Sequence, residues 1–134
     1  CFSPDTLITM ADGSTKAIAD VRVGDAVMSA DEVTGEKTVS TVTKTWEHIG
    51  SYDTLLLNGI TVTPNHKFKV LRDGNGEWLP ASDIRIGDSL VSADGSIPVT
   101  SIAPNGARSA VYNLTTIPSH TYYAGGVLVH NVKQ

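Results

Sequence analysis

The chain has 134 residues, enough for one domain with an ordinary core, and its 10 basic and 14 acidic residues give a net charge of −4. It has no Lys/Arg stripe, no apolar run near the ~18 residues of a membrane span and no charged-then-apolar leader, so a nucleic-acid partner, a membrane segment and a signal peptide are not expected. The single cysteine, Cys1, excludes an internal disulfide and a cysteine-cluster zinc site.

Along the chain the pattern favours strands. Turn pairs recur at Asp12-Gly13, Thr34-Gly35, Asn58-Gly59, Asp73-Gly74, Asn75-Gly76, Asp94-Gly95, Asn105-Gly106 and Gly125-Gly126. Between them lie apolar or alternating runs at Val39 to Thr45, Thr54 to Leu57, Lys67 to Leu71, Val99 to Ile102 and Ala110 to Thr115. A β-branched run near the end of the chain then stops at His130-Asn131, and three residues follow. Helical periodicity is absent, and turn signals at this spacing predict an all-β domain of many short strands.

One segment occurs twice. Asp20 to Asp31 reads DVRVGDAVMSAD and Asp83 to Asp94 reads DIRIGDSLVSAD, with seven of twelve positions identical at a constant offset of 63. Two copies are too few for a solenoid, so the echo points to duplication and a pseudo-twofold arrangement. Its residues read as structural: Arg22 and Arg85 can pair with neighbouring carboxylates, and Gly24-Asp25 and Gly87-Asp88 make turns.

Outside the echo lie Cys1, then Thr63 and His66 in TVTPNHKFKV, His120 in PSHTYY, and His130-Asn131. Each has a plain structural reading. A lone histidine near a strand is commonly a hydrogen-bonded core residue, Thr63-Pro64-Asn65 reads as a turn, and cysteine is often a small buried apolar residue. His48, in WEHIG, joins no constellation and is assigned to surface or core. Taken together the plain readings strain, because the only cysteine opens the chain and two histidines and an asparagine crowd its last fifteen residues. A fold that brings the two ends together would give Cys1, His130 and Asn131 one shared site.

These residues resemble the signature of the inteins and bacterial intein-like domains of type A, within the Hedgehog/intein (Hint) superfamily. CFSPDTLITMADGSTKAIADVRVGD resembles the N-terminal splicing block, TVTPNHKFKV the block with Thr-x-x-His, and VYNLTTIPSHTYYAGGVLVHN the C-terminal block closing on His-Asn. The resemblance implies a horseshoe-like all-β Hint fold with pseudo-twofold symmetry over residues 1–131, with 132–134 as a C-terminal flank. About forty residues separate TPNHKF from VYNLTT, too few for an inserted endonuclease.

The resemblance also implies autocatalytic processing in cis, once per molecule. Cys1 would attack the preceding carbonyl in an N-to-S acyl shift to a thioester, the thiolate being the nucleophile. His66 would protonate the leaving nitrogen, and Thr63 would hydrogen-bond beside it. Asn131 would cyclise to a succinimide, breaking the bond to Val132, with His130 and His120 polarising the carbonyl and protonating the departing amine. Val132 stands where a splicing intein has Cys, Ser or Thr, so cleavage is the expected main outcome, and splicing would be inefficient. Asn113, in VYNLTT, stands where the family's block often has Asp, and an amide cannot shuttle a proton.

The partners implied are the chain's own flanking polypeptides, with a monomer as the working unit. No cofactor or metal is called for; zinc on Cys1 and a nearby histidine would be an incidental inhibitor. The resemblance suggests a bacterial host protein of the secreted or surface-associated kind. The competing readings are an inactive β-rich binding or linker module that keeps the Hint fold, and a Cys-His hydrolase acting on other proteins, which would leave the His-Asn ending unexplained. Sterol transfer of the Hedgehog kind is disfavoured by the terminal Asn.

Overall fold

The computed structural model describes residues 1–130. The twelve strands are β1 (Leu7–Thr9), β2 (Thr15–Ala17), β3 (Ala26–Ala30), β4 (Lys37–Leu57), β5 (Ile60–Val62), β6 (Lys67–Arg72), β7 (Asn75–Pro80), β8 (Ser89–Ser92), β9 (Gly95–Pro98), β10 (Ile102–Ile117), β11 (Thr121–Ala124) and β12 (Val127–His130). Short 3-10 turns cover Ile18–Asp20 and Ala81–Asp83. The larger sheet runs β2-β1-β11-β12-β6-β8-β9 with β7 on β6, and the smaller runs β10-β4-β3 with β5 on β4. The all-β expectation holds.

The turn chemistry works locally. Asn58-Gly59 and Asp73-Gly74 both have positive φ at both positions, 48° and 84°, then 53° and 79°. That is the two-residue hairpin whose twist matches the strands it joins, and it selects Asn-Gly and Asp-Gly. Because Asp73-Gly74 already reverses the chain, Asn75 pairs with Arg72, and Asn75-Gly76 opens β7 instead of making a turn of its own. Asn105-Gly106 is likewise no strand-ending turn. It sits inside β10 at a bulge between Pro104 and Ala107, where β10 continues along β4.

The expected strand from Val99 to Ile102 does not form; only Ile102 is extended. A side chain takes the backbone groups that a ladder would need. Asn58 Oδ1 accepts the N–H of Thr100 at 2.9 Å and of Ser101 at 3.2 Å, and the Asn58 N–H donates to the Ser101 carbonyl at 3.0 Å. The runs Val39 to Thr45 and Thr54 to Leu57 merge into the one long strand β4, paired with β10 through three irregularities of register.

The sequence echo is a structural repeat. In each copy a 3-10 turn leads to an aspartate that accepts a backbone N–H three residues back: Arg22 to Asp25 Oδ2 at 2.9 Å, and Arg85 to Asp88 Oδ2 at 3.0 Å. The cation hydrogen-bonded to each carboxylate is not the expected arginine. Lys16 serves Asp25 at 3.3 Å, and Arg72 grips Asp88 through Nε at 2.8 Å and Nη2 at 2.7 Å. Arg22 and Arg85 contribute their backbone amides.

The repeat also reaches further upstream than the sequence match. Ser3-Pro4-Asp5-Thr6 and Thr63-Pro64-Asn65-His66, sixty residues apart, make the same turn. Thr6 N–H donates to Ser3 O at 3.1 Å and His66 N–H to Thr63 O at 3.2 Å. Each turn then receives its own 3-10 segment, Ile18 N–H on Thr6 O and Ala81 N–H on His66 O, both at 2.8 Å. The two halves meet where Phe2 pairs antiparallel with Val62, its own counterpart, so the pseudo-twofold axis passes between them. Both are fully buried, in one core with Ile8, Phe68, Leu114 and Tyr122.

Asp88 is 3% exposed and two-pronged on Arg72, whereas the Asp25 side chain is 27% exposed. Asp88→Ala is therefore expected to cost about 3 kcal/mol in urea unfolding and Asp25→Ala about 1 kcal/mol or less. Equal costs would contradict the asymmetry between the halves.

Candidate functional site

Phe2 sets the site. Its N–H donates to the Tyr112 carbonyl and its carbonyl accepts the Tyr112 N–H, both at 2.8 Å, while Val62 faces it on the other side. Antiparallel register then lays Cys1 between Thr63 and Asn113, and the Thr63 N–H donates to the Cys1 carbonyl at 2.9 Å. Cys1 is 5% exposed.

The Cys1 nitrogen donates to Thr63 Oγ1 at 2.9 Å and lies 2.6 Å from His66 Nδ1. In a chain that begins at Cys1 this nitrogen is an amine; in a peptide bond to a preceding residue it would be the amide nitrogen of that bond. Burial pushes the amine down to about 4 from an ordinary 8.0. His66 is fully buried, and its imidazole is held well below the usual histidine range by burial first, then by positive charge on the Cys1 nitrogen and on His130.

The packing gives the cause. The His66 ring is wedged against Phe2, Phe68 and Tyr122 with centroids at 4.5, 6.1 and 6.5 Å, and its Nε2 is buried with no hydrogen-bond partner. An imidazolium needs partners for two N–H groups, and here only the Nδ1 side has one. A proton that does reach His66 thus has one polar neighbour to go to, the Cys1 nitrogen.

Asn113, 1% exposed, flanks Cys1 from β10. Its Oδ1 accepts the Leu114 N–H at 2.8 Å and the Tyr122 hydroxyl at 2.6 Å. A backbone N–H can only donate, so the oxygen is fixed on that side and the amide nitrogen points the other way. Tyr122 is fully buried, and burial raises its phenol far above its ordinary range, so it stays a donor.

His130 lies close by on β12, opposite Thr121 of β11 and opposite Lys67 of β6, the residue after His66. Its Nε2 meets Glu32 Oε2 at 3.0 Å, and Trp78 stands edge-on at 5.4 Å. The His120 ring is exposed, 6.4 Å from that of His130, and the His120 N–H donates to Glu32 Oε1 at 2.8 Å. Asn131 and Val132 lie outside the described residues. Thus Cys1, Thr63 and His66 gather on one nitrogen, Asn113 borders it, and His130 with His120 forms a second cluster one strand away.

Three residues passed over in the sequence reading belong to this region. Glu32 sits in a polar turn and Tyr122 in an aromatic strand, and neither carries a sequence signal. His48, assigned to surface or core, is half-buried and lines a cavity of about 370 Å³ together with Cys1, Thr63, Asn65, Tyr52 and Val111. Its ring stacks on Trp46 with centroids at 6.0 Å, and its Nε2 is buried without a partner.

The two neutral bases give a stability prediction. Each binds fewer protons folded than unfolded, so stability rises with pH across the gap between its two pKa values. For the amine that gap runs from about 4 to 8.0, and for His66 from 6.5 downward. Acidification from pH 8 should cost about 1.4 kcal/mol per pH unit, steepening below 6.5. With a residue joined upstream in a Cys1→Ala background, the loss between pH 8 and 6.5 should vanish in urea unfolding.

Comparison with known proteins places this geometry. Residues 7–132 match the family described as the pretoxin HINT domain. A bacterial intein-like domain from Clostridium thermocellum is 30% identical, with a TM-score of 0.82 and 97% of each chain covered. A DnaB intein from Synechocystis is 23% identical, with a TM-score of 0.82 and 98% of each chain covered, which shows the fold. Among curated proteins, the RNA polymerase III subunit rpc2 of Dictyostelium discoideum and a reverse gyrase of Methanocaldococcus jannaschii are each 30% identical over 67% of this chain, which spans 6% of their length. The Hint fold carries self-processing function in general terms, and the chain belongs to the pretoxin HINT domain family, among the Hint/intein domains.

Proposed function

We propose that the domain cleaves its own flanks, once per molecule, at two junctions. At the first, Cys1 Sγ attacks the carbonyl carbon of the preceding residue. The C–N bond breaks, a thioester forms, and the proton that the thiol loses is passed through His66 Nδ1 to the nitrogen, which leaves as the Cys1 amine. Water then hydrolyses the thioester. Thr63 holds the nitrogen while its bond breaks, and the Asn113 amide offers N–H donors beside Cys1 to a carbonyl gaining negative charge.

At the second junction, Asn131 Nδ2 attacks its own backbone carbonyl, closing a succinimide and breaking the bond to Val132. The departing amine gains a proton relayed through His130, with His120 alongside. Val132 has no nucleophilic side chain, so the thioester is not passed on to it, and joining of the flanks is limited to attack by the freed Val132 amine. Residues 132–134 act as flank and the working domain is 1–131. The partners are the flanking polypeptides, and the working unit is a monomer.

The observation that supports this best is the 2.6 Å approach of His66 Nδ1 to the buried Cys1 nitrogen, with Thr63 Oγ1 at 2.9 Å on the same atom. A bond to that nitrogen has an imidazole already placed to pass a proton to it, and positioned acid–base help is typically worth about 10²–10⁴ in rate.

A precursor with a different foreign domain fused at each end tests the reading by intact-mass spectrometry over time. Cys1→Ala should lose the N-terminal break alone and Asn131→Ala the C-terminal break alone. His66→Ala should slow the N-terminal break by about 10²–10⁴. A precursor that stays whole for days, with and without added thiol, would leave an inert module that merely keeps the fold.

A further inference from the structure

Glu32 lies in the turn between β3 and β4, which Asp31 ties together by hydrogen bonds. Asp31 Oδ1 accepts the N–H groups of Val33 and Thr34 at 2.8 and 2.9 Å, and the Asp31 N–H donates to the Glu36 carbonyl at 2.8 Å. The end of β3 is tied to the start of β11 by Thr121, whose Oγ1 donates to the Ala30 carbonyl at 2.6 Å and accepts the Ala30 N–H at 3.1 Å. The two loops that carry Glu32 and His120 are therefore held together from outside.

Both Glu32 oxygens are engaged there: Oε1 accepts the His120 N–H at 2.8 Å and Oε2 meets His130 Nε2 at 3.0 Å. Burial works against the Glu32 charge, but the His120 N–H and then His130 outweigh it and hold the carboxyl below its usual range. An ionised carboxylate only accepts, so His130 Nε2 must carry hydrogen to bond it, and the neutral ring then keeps its lone pair on Nδ1. The pair is about one-third exposed on each side and adds little to stability. Its effect is on orientation and tautomer.

We propose that Glu32 is a positioning residue for the C-terminal break, fixing the ring plane of His130 and leaving Nδ1 as the atom that exchanges protons with the junction after residue 131. This rests on the role given to His130 above. The logic is that of an acid that orients a histidine without itself taking the proton. Among the described residues, the other titratable groups near His130 include Lys67, opposite it on β6, the His120 ring at 6.4 Å, and His66, whose imidazole feels the charge on His130.

The test has two arms. In a Cys1→Ala precursor, Glu32→Gln should slow the break after residue 131 roughly tenfold, a fraction of what acid–base help is worth. It should also shift the pH profile of that break. Thioester formation at Cys1, trapped with added thiol in an Asn131→Ala precursor, should be unchanged by Glu32→Gln. In the second arm, long-range ¹⁵N–¹H NMR at pH 8 should show His130 as the Nε2–H tautomer in the starting protein and as a mixture in Glu32→Gln and Glu32→Ala. Unchanged rates and pH profile in the folded variants, or an unchanged tautomer, would overturn the proposal. A starting precursor whole at residue 131, with the tautomer lost in Glu32→Ala, would support the coupling and remove the cleavage reading.

Discussion

The backbone pairing of Phe2 is the constraint on which the rest depends. With its amide and carbonyl bonded to Tyr112 and its other edge against Val62, the first residue of the chain has one place to go. Phe2 is wholly buried, worth roughly 2–3 kcal/mol of hydrophobic burial, and the ladder fixes direction as well as position. The Cys1 nitrogen is thereby carried to a buried position, against a threonine hydroxyl and an imidazole. Everything unusual about those groups, the depressed amine and the neutral buried histidine, follows from that placement.

The pseudo-twofold axis gives the site a mate, and the two differ in the side chains they carry. The turn Ser3-Pro4-Asp5-Thr6 is the mate of Thr63-Pro64-Asn65-His66, with the same backbone bonds. Where the second turn has His66, the first has Thr6, and its polar groups satisfy one another: Ser3 Oγ donates to Asp5 Oδ1 at 2.7 Å and lies 3.1 Å from Thr6 Oγ1. One half of a duplicated scaffold thus holds reactive groups while the other closes on itself. The two histidine settings also differ physically. His66 is dry and has one polar neighbour, whereas His130 is partly wet and paired with a carboxylate. Dry surroundings make His66 a strong acid whenever it is protonated, and the carboxylate steadies His130 in one orientation.

Much of this was legible in the residues. Two-residue turns such as Asn58-Gly59 and Asp73-Gly74 announce hairpins because only a few residue types tolerate their backbone. The echo from Asp20 to Asp31 announces its counterpart because the same aspartate cap recurs. What stayed hidden depends on contacts between distant segments. Nothing local to Val99 to Ile102 says that Asn58 will take its amides. Arg22 and Arg85 sit next to the acids, yet Lys16 and Arg72 arrive from neighbouring strands. The upstream extension of the repeat shares only its proline, Pro4 and Pro64, so residue identity could not reveal it. Glu32 became visible only once the β3–β4 turn stood beside His130, nearly a hundred residues on. Thr63 and His66 are singled out in the sequence by the family's Thr-x-x-His block and Cys1 also by its place at residue 1, and their meeting at one nitrogen is a property of the fold.

The most direct measurement of the central claim is a site-resolved NMR titration of the chain that begins at Cys1, with ¹⁵N in the Cys1 amine and the His66 ring. If the nitrogen is buried and hydrogen-bonded as described, the amine titrates near 4 and the His66 ring protonates only well below its ordinary 6.5, with its Nδ1 signal responding when the amine protonates. If the amine titrates near 8.0 and His66 near 6.5, as they would in water, the nitrogen is not buried against the imidazole and the account of the site fails.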